Sequence, residues 1–396
     1  MKKILLASVA LTAFAGAAAA EVSFSGTAHL SYNDTDATAV MTTPADDNDG
    51  FYWGATMTAS LSKELDNGVT AGATVNFDIQ DDDGTSTAST TDLMTDDYVL
   101  SLTSENASIY FGDTGVAGSK YWAAAGDMES DGFTSDFTDA TNEDAVLRAD
   151  FNYGGVEASV STIVIQGLAT NPQTNSTTEQ TSASLRTTLG GVTITAATQE
   201  KATELGSSAD DFNANAVWGV SAAMAVAGAN VTVAYAETDY GTDGTNSSTG
   251  IKVAYPVGDV TVTAYYVDEN PSATKLAANA KADDANYGIA FAYAAGDVTA
   301  TLDYQDDQTV DKTSLDVTYD LGNGLKLMAG MYDENGNATA TDDGTDSYVA
   351  ASYNLGGGAS LLVAVADAGT AGAIAADEVG TPDYQDGTTV SLSFAF

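Results

Sequence analysis

Apolar residues recur at every second position in run after run of this chain, and each run stops at a turn rich in Gly, Asn and Asp. In VSFSGTAHLSYN, Val22, Phe24, Ala28, Leu30 and Tyr32 alternate with Ser23, Ser25, Thr27, His29, Ser31 and Asn33. A period of two sends alternate side chains to opposite faces of a strand. The next runs repeat it: Phe51, Trp53, Ala55, Met57, Ala59 and Leu61 oppose Thr56, Thr58 and Ser60, and Val69, Ala71, Ala73, Val75, Phe77 and Ile79 oppose Thr70, Thr74, Asn76 and Asp78. The turns are Asp66-Asn67-Gly68, Ser104-Glu105-Asn106, Gly154-Gly155, Gly190-Gly191, Gly228-Ala229-Asn230, Val257-Gly258-Asp259, Ala295-Gly296-Asp297, Gly322-Asn323-Gly324 and Gly356-Gly357-Gly358. Each joins two alternating runs, as hairpin turns with positive φ should. Nine hairpins and the unpaired runs at 22–33 and 388–396 make twenty strands. Longer polar segments, 34–50, 81–95, 113–144, 200–212, 268–284, 334–345 and 367–387, separate the hairpins. One edge therefore carries short turns and the other long loops.

An open sheet of this size would leave two long edges unpaired, whereas closure satisfies every backbone group where water is absent. The pattern predicts an all-β fold, a transmembrane antiparallel up-and-down β-barrel of 20 strands, each about 10 residues long. Tyr153, Tyr255, Tyr293, Tyr319 and Tyr353 lie close to short turns on the apolar side and form one interfacial girdle. Tyr32, Trp53, Phe77, Tyr98, Tyr266, Tyr287 and Tyr304, toward the long-loop ends, form the other.

Residues 1–20, MKKILLASVALTAFAGAAAA, have a basic start, an apolar run and an A-x-A-like end at Ala18 and Ala20, and read as a signal peptide with Glu21 as the mature N-terminus. Residues 21–396 form the barrel. No stretch approaches the roughly 18 apolar residues of a membrane-spanning helix. With Lys2 and Lys3 removed, 10 Lys+Arg face 56 Asp+Glu, a balance of −46, which repels nucleic acid. The chain has no Cys and one His, so disulfides, thiol nucleophiles and Cys- or His-rich metal sites are excluded. The single His29 lies near no nucleophile motif, which argues against an enzyme.

The last strand, TTVSLSFAF, places Val390, Leu392, Phe394 and Phe396 on one side and ends on an aromatic residue. It resembles the insertion signal read by the outer-membrane barrel assembly machinery. Together with Ser352-Tyr353-Asn354-Leu355-Gly356-Gly357-Gly358-Ala359-Ser360 and the start Glu21-Val22-Ser23-Phe24-Ser25-Gly26, it makes the chain resemble the general porins of Gram-negative bacteria, in particular those of alphaproteobacteria. The resemblance implies an outer-membrane location among membrane lipid and lipopolysaccharide, short periplasmic turns, long extracellular loops, and a homotrimer with one water-filled pore per subunit for passive diffusion of ions and small hydrophilic solutes. Family members are mostly sixteen-stranded, so either two hairpins are extra here or some runs lie outside the wall.

Strand parity turns Arg148, Asp150 and Asn152 inward, with Arg186, Lys252, Lys326, Asp78, Asp303, Asp316 and His29. Basic side chains are costly on a lipid-facing side, so these residues line a pore or form ion pairs within its wall. The longest connection, 113–144, carries Asp113, Asp127, Glu129, Asp131, Asp136, Asp139, Glu143 and Asp144 against the single base Lys120. It stands third among the long loops, where porins fold a loop into the channel as its constriction, and Tyr121, Trp122, Phe133 and Phe137 are placed to pin it to the inner wall. The family's basic cluster opposite this loop has only Arg148, Arg186, Lys252 and Lys326 to draw on here, on strands well separated in the chain. Net negative potential favours cations. A substrate-specific channel, for example for sugars, is the rival reading and needs a lumenal aromatic track, and no such run is evident; a soluble exported adhesin is a further alternative. No cofactor is expected. The acid runs Asp46-Asp47-Asn48-Asp49, Asp81-Asp82-Asp83, Asp283-Asp284 and Asp342-Asp343 lack EF-hand spacing, and are either solvated or hold weak, shared Ca²⁺ or Mg²⁺, bridging to lipopolysaccharide.

Overall fold

Antiparallel pairing between chain neighbours accounts for most of the described residues. The computed structural model describes residues 21–34, 50–80, 94–133, 145–166, 176–201, 215–278, 283–308, 310–336, 344–368, 378–379 and 384–396. The strands are β1 (Glu21–Asp34), β2 (Gly50–Glu64), β3 (Thr70–Gln80), β4 (Met94–Thr103), β5 (Ala107–Gly112), β6 (Ala145–Tyr153), β7 (Val156–Gln166), β8 (Ser176–Leu189), β9 (Val192–Gln199), β10 (Ala216–Val226) and β11 (Ala229–Asp239). They continue as β12 (Thr245–Val257), β13 (Val260–Asn270), β14 (Asn286–Ala295), β15 (Val298–Asp307), β16 (Val310–Gly322), β17 (Leu325–Asn335), β18 (Gly344–Gly356), β19 (Ala359–Asp367), β20 (Glu378–Val379), β21 (Tyr384–Gln385) and β22 (Gly387–Ala395). Each strand from β1 to β18 pairs with the next, β19 pairs with β22, and β22 pairs back onto β1, so twenty strands close the wall. The two residues each of β20 and β21 form a separate ribbon. No helix among the described residues is long and apolar enough to cross a membrane.

Closure rests on the terminal strand. Tyr32 is in register with Val390 and Leu30 with Leu392, and the backbone of Gly26 exchanges hydrogen bonds with Phe396 at 2.9 and 3.0 Å. Phe396 thus supplies the last rung of the seam. Deleting it is expected to lower the folded, heat-modifiable fraction recovered from outer membranes. An unchanged fraction would show that the seam closes without that rung.

The nine short turns fall where the glycine pattern put them, with one shift. The β10–β11 turn is Ala227-Gly228, not Gly228-Ala229-Asn230, and Ala227 itself takes a φ of 50°. A left-handed alanine costs about 1–2 kcal/mol. The cost is met because this register sets Met224 opposite Val231 and Ala222 opposite Val233, keeping both apolar stripes on one side. A slip of one residue would turn the stripes to the other side.

The two faces of the wall differ. Val160, Leu185, Val220, Val233 and Ile251 are exposed on the outside, and the turn-proximal tyrosines Tyr153, Tyr255, Tyr293, Tyr319 and Tyr353 are exposed beside them. On the inside, Ser159, Ser161, Ser182, Ser184, Thr195, Ser221 and Ser248 are buried. Hydroxyls so enclosed need partners. They find them in one another and in a segment of chain that enters the lumen.

Candidate functional site: the lumen and its inward segment

Residues 113–133 run along the inner wall. At the rim, the backbone of Asp113 donates to the Tyr98 carbonyl at 2.8 Å, and its carboxylate accepts the Tyr98 N–H at 2.7 Å. Asp113 therefore extends the β4–β5 ladder by one rung and anchors the segment where it leaves the wall. The short helix α1 (Ala117–Lys120) follows, too brief for a capping side chain of its own. Its orphan amides are satisfied by the wall instead. Ala117 N–H donates to Ser161 Oγ at 2.8 Å, Gly118 N–H to Ser182 Oγ at 3.0 Å, and Ser184 Oγ donates to the Ala117 carbonyl. Further along, Ser130 N–H donates to Ser248 Oγ at 2.9 Å, Thr238 Oγ1 donates to the Ser130 carbonyl at 2.9 Å, and Asn286 Nδ2 donates to the Asp127 carbonyl at 3.0 Å. Within the segment, Val116, Ala117, Ala125 and Met128 are buried.

Three of the bases meet at the start of this segment. Arg148 on β6 donates from Nη1 to the Gly115 carbonyl at 2.5 Å and sets its Nε 3.3 Å from Asp150. Lys120 also pairs with Asp150, whose other contact is a 2.6 Å hydrogen bond from Ser159. On β8, Arg186 pairs with Glu157 at 2.7 Å. The Tyr121 ring lies between Arg186, 5.0 Å from its centroid, and Lys120, 5.3 Å away, while Arg148 lies 4.8 Å from the Tyr110 centroid. Separation along the chain therefore misleads: β6 and β8 both flank β7, and antiparallel pairing brings their inward residues together with Lys120. Three cations face two carboxylates here. Lys252 and Lys326 are on distant strands and form no ion pair among the described residues.

The acids gather at the far end of the segment. Glu129 N–H donates to Glu269 Oε1 at 3.1 Å, and the Glu129 carboxylate is 3.5 Å from Lys275. Asp131 accepts Trp122 Nε1–H at 2.9 Å. Burial, reinforced by the neighbouring Asp307 and Glu129, raises the pKa of Asp127 above the ordinary carboxylate value, against the lowering effect of Lys312. Burial also raises Asp131, and the Trp122 hydrogen bond opposes it. Asp303 and the ion-paired Asp307 lie on the same arc, on β15. A cationic zone over β6–β8 and an anionic zone over β13–β15 thus occupy different sectors of one lumen.

Glycines in the wall make room for the segment, and they carried no weight in the sequence reading. A Cβ at Gly219 would stand 2.5 Å from the Trp122 ring, and one at Gly250 would stand 2.3 Å from the Ala125 carbonyl oxygen. A lone glycine inside a strand is the sequence sign of such a close approach. Because the Gly250 neighbour is backbone, Gly250→Ala is expected to push the segment off the wall and alter single-channel conductance in a barrel that still assembles. Gly132→Ala, which meets nothing within 4 Å, should leave it unchanged. Equal conductance in the two variants would separate the Gly250 socket from the pore.

The remaining candidates scatter. Asp316 accepts a 2.6 Å hydrogen bond from Tyr348. Asp78 and His29 lie on inward positions of β3 and β1, His29 edge-on to Tyr52 with ring centroids 6.1 Å apart. Asp136, Phe137, Asp139, Glu143 and Asp144 lie outside the described residues, as do the leader and the acid runs at 46–49, 81–83 and 342–343. Among the described residues no group of three or more His, Asp or Glu side chains is arranged to hold a metal. The sequence reading found no lumenal aromatic run, yet Tyr332, Tyr348 and Tyr384 share the lumenal side of β17–β19. Tyr348 is carried there by strand parity, and Tyr384 by the described end of the last long connection, residues 384–386.

Comparison with known proteins accords with this architecture. The family model of Gram-negative porins matches residues 7–370. No curated protein matches the chain. Among solved structures, a mutant of Rh. blastica porin is 14% identical over 96% of this chain and 100% of its own, with a TM-score of 0.44. A triple mutant of Rhodopseudomonas blastica porin is 15% identical with the same coverage and score. The family match spans most of the chain, and on that match the chain belongs to the Gram-negative porins, channels of the outer membrane.

Proposed function

We propose that the channel passes ions and small hydrophilic solutes by passive diffusion, that it selects cations, and that residues 113–144 narrow it. The observation that carries this reading is the attachment of 113–133 to the lumenal wall, which holds Asp127, Glu129 and Asp131 inside the barrel. Of the bases within reach of the segment, Lys120, Arg148 and Arg186 are committed to Asp150 and Glu157, Lys275 to Glu129 and Lys312 to Asp307. A surplus of carboxylate therefore remains for the permeating ion to meet, and in a water-filled passage walled by protein it acts over the full width. Tyr348 and Tyr384 stack on each other, and Tyr110 and Tyr121 lie against Arg148, Lys120 and Arg186, so these lumenal rings are engaged by the protein, which favours unspecific diffusion over a sugar-selective track.

A homotrimer in contact with lipopolysaccharide, delivered by the barrel assembly machinery, completes the reading. No tightly bound cofactor is required by it. The test is the reversal potential of the reconstituted protein in a KCl gradient. A cation-selective potential supports the reading, and an anion-selective one removes it while leaving the barrel intact.

A further inference from the structure

The polar connection after β19 behaves unlike an extracellular loop. Its described part, the β20–β21 ribbon and Asp386, turns into the barrel. Tyr384 is 2% exposed and packs on Tyr348, Ala350, Ala364 and Ala366, all inward positions of β18 and β19, with Met328 and Leu362 beside it. The Tyr384 and Tyr348 rings stack at 4.4 Å and 28°, and Tyr384 OH donates to Met328 Sδ at 3.5 Å. Polar contacts hold the neighbouring residues. Tyr52 OH donates to Gln385 Oε1 at 3.3 Å, Asn33 Nδ2 to the Asp386 carbonyl at 3.1 Å, and Ala368 N–H to Asp386 Oδ1 at 3.0 Å. These contacts span β1, β2 and β17–β19. The segment 113–133 instead covers β6–β14. Two inward elements therefore occupy different arcs of the lumen, and inward hydroxyls such as Thr27 and Thr56, bonded to each other at 2.9 Å, stay exposed toward the middle of β1 and β2, away from the rim contacts of 384–386.

We propose that residues 384–386, anchored by Tyr384 in the socket of Tyr348, Ala350, Ala364 and Ala366, form a second constriction element that sets the pore cross-section jointly with 113–133. The alanines admit the ring, since larger side chains at 350, 364 and 366 would fill its place. The open passage is displaced toward the part of the wall that neither element covers, and the size limit for solutes is fixed from two sides. The inference rests on the channel reading. It goes beyond it by assigning a role to a loop that the strand pattern places outside the barrel.

Single-channel recording of Tyr384→Ala beside the unaltered protein tests it. With the anchor gone, conductance is expected to rise by roughly 1.5-fold, and larger sugars should enter proteoliposomes in a swelling assay. Equal conductance in a folded, heat-modifiable variant would overturn the proposal. If the unaltered protein itself failed to conduct, the channel reading would fall instead, so the two failures are distinct. A second variant covers the case in which Tyr384→Ala does not assemble. The chain has no cysteine, so Gln385→Cys offers a single thiol in an otherwise unreactive protein. Its reaction with a bulky charged thiosulfonate should reduce the current. Complete labelling, verified by mass, with unaltered current would place residue 385 outside the conduction path and overturn the proposal equally.

Discussion

Replacing residues 113–144 by a short turn between Gly112 and Ala145 is expected to raise single-channel conductance by roughly two-fold or more, because a constriction in series dominates the resistance of a wide pore. The barrel wall permits the excision. Gly112 is already in register with Val146 across β5 and β6, so a tight turn bridges ends that are neighbours in the sheet. None of the twenty wall strands is contributed by the excised segment, and closure depends on strand pairing and not on what lies inside. The excision removes Lys120 from Asp150, but Arg148 and Ser159 remain on that carboxylate, so it is not left as an unpaired buried charge. Conductance that stays the same in a folded variant would mean that the segment, though it lies against the wall, does not limit the flow.

The second large effect is on selectivity. With Asp127, Glu129 and Asp131 inside the lumen, replacing all three by their amides should move the KCl reversal potential toward zero. Replacing Asp46, Asp47 and Asp49 in the first loop should move it less. Screening restricts outer charges to roughly 10 Å at 0.1 M salt, so acids beyond that reach contribute little to the field inside the pore, and the selectivity itself should shrink as salt rises. The pH dependence has a definite sign. A carboxyl with reference pKa near 4 loses its charge as pH falls through that value. Burial raises Asp127 and Asp131, so they are protonated at higher pH than the exposed acids. Cation selectivity should therefore begin to decline above the ordinary carboxylate range as pH is lowered, before the surface charge of the outer loops titrates. Equal effects from the two triplets, or a decline confined to the lower range, would detach selectivity from the inward segment.

Local chemistry in the sequence was enough to determine the wall. Alternation with period two, glycine-rich turns on one edge and an aromatic terminal strand specify pairing between chain neighbours, and pairing between neighbours leaves a sheet of this length no arrangement but closure where no water reaches its edges. The count of twenty follows from the turns alone, and the departure from a sixteen-stranded pattern lies in the wall itself. Even the misplaced turn, expected at Gly228-Ala229-Asn230 and found at Ala227-Gly228, missed by a single residue, because the register that keeps the apolar stripes on one side decides it.

What lies inside the barrel was decided only by the tertiary structure. The cationic cluster of Lys120, Arg148 and Arg186 cannot be seen in linear spacing, since it depends on two strands and a loop converging across β7. The sockets at Gly219 and Gly250 read as weak points of strands until Trp122 and Ala125 fill them. Tyr384 sits in a polar connection that has the composition of an external loop, and its burial against Tyr348 comes from a void that alanines on β18 and β19 create together. Periodicity is a property of residues close in the chain and fixes which face a side chain takes. Which distant residue occupies the space before that face depends on packing among segments that carry no periodic signal, and only the folded barrel brings them together.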